Sequence, residues 1–215
     1  MKTKKYRIYV IEIKCSFTFM PVKPLTSLDL TICQALADFF EQQDLGADGG
    51  ANDTWVKLRF GSFYIPFPNS AARKKAVMYH DIHHILTGYP TTWRGEAEIG
   101  AWEVASGCGD YRAAWIFDLG IFAAGIFIFP VAVFRAFIRG RRALNFYHHT
   151  HAYEQILQMN IAEAQTTLQL NNADKPALVL EIMTFIAWWL LAVVLSLAIY
   201  VAPVFIVIWL IVHRH

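Results

Sequence analysis

Apolar positions recur along this chain in three rhythms, and each predicts a different kind of element. Residues 6–20 alternate loosely and are rich in Ile, Val, Tyr and Phe, which predicts an extended segment. From Ser27, an expected N-cap, to Gln43 the spacing of Leu30, Ala35, Leu36 and Phe39 becomes helical. Residues 44–53 are a loop by composition, because Gly and Asp supply turn conformations. Residues 54–68 hold Trp55, Phe60, Phe63, Tyr64, Phe67 and two prolines, and read as an irregular aromatic segment. A second helix is expected from Asn69 or Ser70 to Thr87, stopped by Gly88 and Pro90. A third runs from about Arg94 to Ser106 and ends at Gly107 and Gly109. The connection between them is short, so the two should form an antiparallel hairpin.

Two long apolar runs set the third rhythm. Residues 115–138 carry charge only at Asp118 and Arg135. As one helix those 24 residues would measure ~36 Å, enough for a bilayer core of about 30 Å. Gly125 and Pro130 interrupt the run, so a broken or re-entrant helix is the alternative to a single crossing. Residues 177–212 contain a single charge, Glu181, and span ~54 Å as a straight helix. Pro203 is expected to kink this run or turn it into a hairpin. Between the runs, residues 144–171 show amphipathic helical spacing. The expected organisation is an N-terminal extension (1–26), a helical metal-binding domain (27–172) and a C-terminal membrane anchor (173–215). The fold class is all-α.

Composition sharpens this picture. The 215 residues are 56% hydrophobic and only 17% charged, with a mean hydropathy of +0.35. That is high for a soluble protein. A net charge of +2 argues against nucleic acid as a partner, since such proteins concentrate basic charge on one face. Arg135, Arg139, Arg141 and Arg142 follow an apolar run and read as a membrane-edge anchor. The N-terminus begins with a basic cluster, but Glu12 and Lys14 interrupt the apolar region that an export signal would need. The expectation is an integral membrane protein, placed in a bacterial cytoplasmic membrane, with membrane lipid as a partner. Cys15, Cys33 and Cys108 are widely spaced and read as small apolar residues.

The chemistry concentrates at Tyr79-His80-Asp81-Ile82-His83-His84. His80 and His84 stand four apart on one helix, so both imidazoles project from one face and can share an ion. Asp81 flanks that face, about 100° round from His80. Glu96 lies in the first turn of the returning helix, where the hairpin brings it alongside. Two imidazoles and two carboxylates make zinc the plain candidate, with iron or manganese compatible on donor type. A buried carboxylate in so apolar a chain needs a partner, which favours a ligand role over a chance pair of histidines. Glu103 shares the face of Glu96, seven residues on, and is a candidate supporting acceptor or catalytic base; a solvated helix-face charge is the alternative. His83 reads as a neighbour of the site.

The string His80-Asp81-x-x-His84, eleven residues and then Glu96 resembles the signature of the coenzyme Q biosynthesis protein 4 family. Gly88-Tyr89-Pro90-Thr91-Thr92, Gly95-Glu96 and Trp102-Glu103 look like that family's central block. Gly140-Arg141-Arg142-Ala143 and the helix around Tyr153-Glu154 are similar to its C-terminal part. The resemblance covers roughly residues 28–172. It implies a helical, membrane-associated protein binding a metal through His80, Asp81, His84 and Glu96. It further implies a role in ubiquinone biosynthesis, in oxidative decarboxylation at ring carbon C1 or as a scaffold. A polyprenyl-quinone precursor and other quinone-biosynthesis proteins would then be partners. The run 177–212 is a departure that this family does not ordinarily carry.

Three rivals compete with it. His80-x-x-His83-His84 and His148-His149-x-His151 could be histidine boxes of a membrane di-iron desaturase or hydroxylase, which needs about eight histidine ligands; the chain has eight histidines, but two lie at its extreme C-terminus. A lipid-binding scaffold would use 115–138 as a groove for a polyprenyl tail. An HD-type phosphohydrolase would need a histidine upstream of His80, and there is none.

Overall fold

The computed structural model describes residues 27–43, 48–50, 52–60, 63–148, 151–170 and 176–213. The whole N-terminal extension (1–26), with the expected extended segment 6–20 and Cys15, and His149 lie outside them. The fold is mostly helical, with one small hairpin of strands.

The first helix, α1 (Ile32–Gln42), follows a 3-10 turn at Ser27–Asp29. Thr31, rather than Ser27, is its N-cap. Its hydroxyl accepts from the Gln34 N–H at 3.3 Å and its own N–H donates to the Gln34 side chain at 2.9 Å. That reciprocal pair needs Glu or Gln three residues on, and Ser27 has Leu30 there. Residues 54–68 are not irregular: β1 (Trp55–Phe60) and β2 (Phe63–Pro68) pair antiparallel, with Trp55 opposite Pro68 and Phe60 opposite Phe63. The prolines are tolerated because each strand of a two-stranded sheet is an edge.

The helix α2 (Ala71–Thr87) is capped by the Ser70 hydroxyl and closed by Gly88, whose φ of 76° is the left-handed conformation that ends helices. Thr92 caps α3 (Trp93–Ser106). The two lie antiparallel, joined mainly by long side chains: His84 meets Glu96, and His80 and His83 meet Glu103.

The run 115–138 is not one helix. It breaks at Phe129 (φ −131°, ψ 51°) into α4 (Arg112–Ile128) and α5 (Pro130–Arg141). Pro130, which lacks an N–H, opens α5 where that donor is not needed. The resulting hairpin packs around α3. A Cβ on Gly125 would stand 2.7 Å from that of Ala97, and one on Gly140 would collide with the Trp102 backbone. Such contacts need glycine's missing side chain. The run is thus a broken helix, as Gly125 and Pro130 allowed.

Residues 144–171 are helical but broken, into a 3-10 turn (Phe146–His148), α6 (Tyr153–Gln158) and α7 (Ile161–Thr167). The break at Met159 faces the start of α1, where the Ile32 N–H donates to Met159 O and the Ile161 N–H to Leu30 O. The last run is one continuous helical path, Val179–Val212, made of α8 (Val179–Ser196), a π-type turn (Leu197–Val201) and α9 (Ala202–Val212). Pro203 neither ends it nor folds it back; the wider turn just before it accommodates the missing donor. This helix is long and apolar enough to cross a membrane, and little of it is buried. Its first half packs on the hairpin through Phe185, whose ring meets Phe122, Phe134 and Phe137 edge to face.

The core has two parts. One lies under α1, α2, α6 and α7; the other surrounds α3, between α4, α5 and α8. Cys108 is a buried free thiol, and Cys33 is buried in the first part of the core.

Candidate metal centre

The site is built where α2 faces the N-terminal half of α3. His80 and His84 occupy one face of α2, and their Nε2 atoms come within 3.1 Å of each other. Glu96 Oε2 stands 3.5 Å from His80 Nε2, and its Oε1 3.4 Å from His84 Nε2. Two ligand atoms each about 2.1 Å from a zinc at the tetrahedral angle are separated by about 3.4 Å. All three separations are of that size, with Glu96 turning one oxygen to each imidazole.

The hydrogen bonds behind each imidazole fix its tautomer. Gly88 turns the chain so that the Tyr89 carbonyl folds back on α2 and accepts from His84 Nδ1 at 2.8 Å. A carbonyl cannot donate, so the proton is on Nδ1 and the Nε2 lone pair points into the site. His80 Nδ1 donates to Glu103 Oε2 at 3.0 Å, which leaves its Nε2 facing the same point. Two lone pairs and a carboxylate converging on one spot require a cation. Burial opposes charge on His80, but Glu103 and Glu96 outweigh it and raise its pKa well above the ordinary value, so a proton can serve as that cation. Burial likewise opposes charge on Glu96, yet the His80 and His84 hydrogen bonds hold its pKa down at about 2. The His84 side chain is 1% exposed, but 36% of Glu96 and 21% of His80 remain accessible, so the site is open on one side.

Glu103 has a different place from a catalytic base. It is fully buried, and its oxygens accept from His80 and, at 2.7 Å, from His83 Nδ1. The other nitrogen of His83 accepts the Phe146 N–H at 3.1 Å, which fixes the His83 tautomer as well. Burial works against the Glu103 charge, but the two imidazoles draw its pKa well below the usual carboxylate range. It is an ionised acceptor that orients His80 and has no face toward a substrate. Asp81 is also displaced from its expected role. It is buried, and burial lifts its pKa to about 6, but its oxygens do not join the group formed by His80, His84 and Glu96. The 100° offset from His80 carries it off the shared face.

Asp118 is the residue that the spacing did not reveal. It is buried in α4, has a carboxylate oxygen within 4.8 Å of one of Glu103, and accepts from the Cys108 thiol at 3.4 Å. Two carboxylates held so close in the core keep a proton more readily than they carry two charges. Burial first, and then the Glu103 charge, raise the Asp118 pKa well above the usual range, so Asp118 carries it. The available signal was a lone carboxylate inside an apolar run. His80, Glu103 and Asp118 also lie close enough to be ligands, but the hydrogen bonds account for all three.

The expected second histidine box does not assemble among the described residues. His148 Nε2 donates to Ser106 O at the C-terminal end of α3, and Glu96 lies in the first turn at the other end. His83 turns toward Glu103 and away from the open site. Comparison with family models, with curated proteins and with solved structures finds no match to this chain.

Proposed function

We propose that this chain is a membrane-anchored metal protein that holds zinc on His80, His84 and Glu96 and acts on, or holds, a polyprenylated quinone precursor. The observation that carries the metal assignment is the convergence of two tautomer-fixed Nε2 lone pairs on the Glu96 carboxylate. The quinone assignment rests on the resemblance of the His80-Asp81-x-x-His84 text, with Glu96 beyond it, to the coenzyme Q biosynthesis family. The donor set also suits iron or manganese. With three protein ligands, a bound ion keeps a position open on the accessible side.

Such an ion supplies Lewis acidity to a phenolate or carboxylate oxygen of the ring. The protein's own share is orientation. Glu103 and the Tyr89 carbonyl hold both imidazoles in the ligating tautomer, and Glu96 contributes the anionic ligand. The reaction class that the resemblance implies is oxidative decarboxylation at ring carbon C1. In it the carboxylate leaves as CO2, a hydroxyl takes its place and an external two-electron oxidant is consumed, since zinc is redox-inert. A scaffold for other quinone-biosynthesis proteins would use the same site to seat the precursor. The helix Val179–Val212 serves as the membrane anchor, consistent with a bacterial cytoplasmic membrane protein.

The test is metal content with quinone profile. Full-length protein should contain one equivalent of metal, lost in both His84→Ala and Glu96→Ala, and cells carrying either variant should accumulate a ring-carboxylated precursor. Stoichiometric metal in both variants would sink the site. Metal loss with an unchanged quinone profile would leave the site standing and remove the pathway.

A further inference from the structure

The α4–α5 turn presents an apolar end that remains exposed among the described residues. Phe127 is 72% exposed, Ile128 67% and Val131 61%, with Ala124 and Pro130 exposed between them. No charged residue occurs from Leu119 to Phe134. A single exposed apolar side chain is ordinary, but a contiguous group of this kind marks a contact surface.

Two relationships identify what covers it. Phe127 packs edge-on against Trp189 of α8, with ring centroids 5.6 Å apart, so the exposed end is continuous with the apolar helix Val179–Val212. The same end also carries the start of α3. Ala97 meets α4 at Gly125, and Gly100 meets it at Ile121, so the two helices run antiparallel. Going back one turn from Ala97 reaches Trp93, 44% exposed, level with the last residues of α4. Arg94 follows, with its side chain 63% exposed. A tryptophan and an arginine beside a patch of Phe, Ile and Val is the distribution expected where acyl chains meet headgroups.

We propose that Phe127, Ile128 and Val131 insert into the acyl layer of the bilayer, as a second point of attachment beside the C-terminal helix. This rests on the membrane reading of Val179–Val212 and deepens it. It also gives the metal site its position. Glu96 immediately precedes Ala97, and Gly125 is one turn from Ile128, so the open side of the site stands near the membrane surface. An amphiphile can present its polar ring to His80 and Glu96 while its chain stays among lipids.

The experiment places a photoreactive benzoyl-phenylalanine, one site at a time, at Ile128, at Phe205 in α9 and at exposed Glu163 in α7, in full-length protein reconstituted in phosphatidylethanolamine–phosphatidylglycerol vesicles. Phospholipid adducts are expected at Ile128 and Phe205, with loss of the adduct at Glu163. Adducts at Phe205 alone would overturn the insertion and leave the anchor intact. Lipid adducts at neither would overturn both. Cross-linking of Ile128 to another copy of the chain, without lipid, would reassign the surface to self-association.

Discussion

Glu103 accepts the Nδ1 protons of both His80, at 3.0 Å, and His83, at 2.7 Å, from a position with no solvent exposure. One carboxylate thus orients an imidazole of the proposed metal site and locks a second into the core. Replacing it by Gln removes the charge and turns an amide N–H toward one imidazole donor. Glu103→Gln should weaken metal binding about 10- to 100-fold, as loss of a ligand's supporting partner does, and lower stability by about 1–3 kcal/mol through the unpaired buried donor. Chelator competition and thermal melting of the metal-free protein separate the two effects. Unchanged affinity would mean that His80 is oriented by something else.

The raised pKa of His80 fixes the sign of a pH effect. In the metal-free protein its imidazolium stabilises the fold fully below the unfolded value of 6.5, and that contribution is lost as pH rises through the higher folded value. A metal needs the same Nε2 without its proton, so affinity should increase with pH and binding should release a proton. Calorimetric titrations in two buffers of different ionisation enthalpy measure that release. Identical heats in both buffers would show that no proton leaves.

Arg142 holds the start of the apolar helix Val179–Val212. Its Nε and Nη2 donate to the two oxygens of Glu181, at 2.8 and 2.6 Å, and Nη2 also donates to Pro176 O at 2.9 Å. Arg142→Ala should cost about 1 kcal/mol, a modest sum because the pair lies near the surface. Amide exchange in the first turn of α8 should quicken while that in α3 stays the same. Equal acceleration in both would place Arg142 in the global fold instead.

Gly125 allows α4 to touch α3 at Ala97, where an added Cβ would stand 2.7 Å from its neighbour. Gly125→Leu should force the helices apart, lower the melting temperature by an amount equivalent to about 1–3 kcal/mol, and loosen metal binding because Glu96 adjoins Ala97. Melting and metal competition on the same sample measure both.

Much of this organisation was legible in the sequence because short-range signals decide it. Ser70 and Gly88 bound α2 by capping chemistry, and the i, i+4 spacing of His80 and His84 needs only a helix to bring them together. Glu96 was reachable because the turn between the helices is short. Long-range packing was not legible. Asp118 reaches Glu103 only because α4 folds back along α3, and no periodicity records that. Asp81 has ligand chemistry, but its angular offset leaves it outside the group that His80, His84 and Glu96 form. The 54–68 segment misled because its prolines suggest irregularity, whereas an edge strand accepts them. Thr31 outcompeted Ser27 as a cap because a Gln lies three residues beyond it.

X-ray absorption at the metal edge tests the central claim most directly. Full-length protein loaded with one equivalent of zinc should show two imidazole nitrogens and carboxylate oxygen at about 2.0–2.2 Å, and His84→Ala should lose one imidazole from that shell. A sulfur neighbour at about 2.3 Å, or a shell unchanged by the substitution, would contradict a centre made of His80, His84 and Glu96.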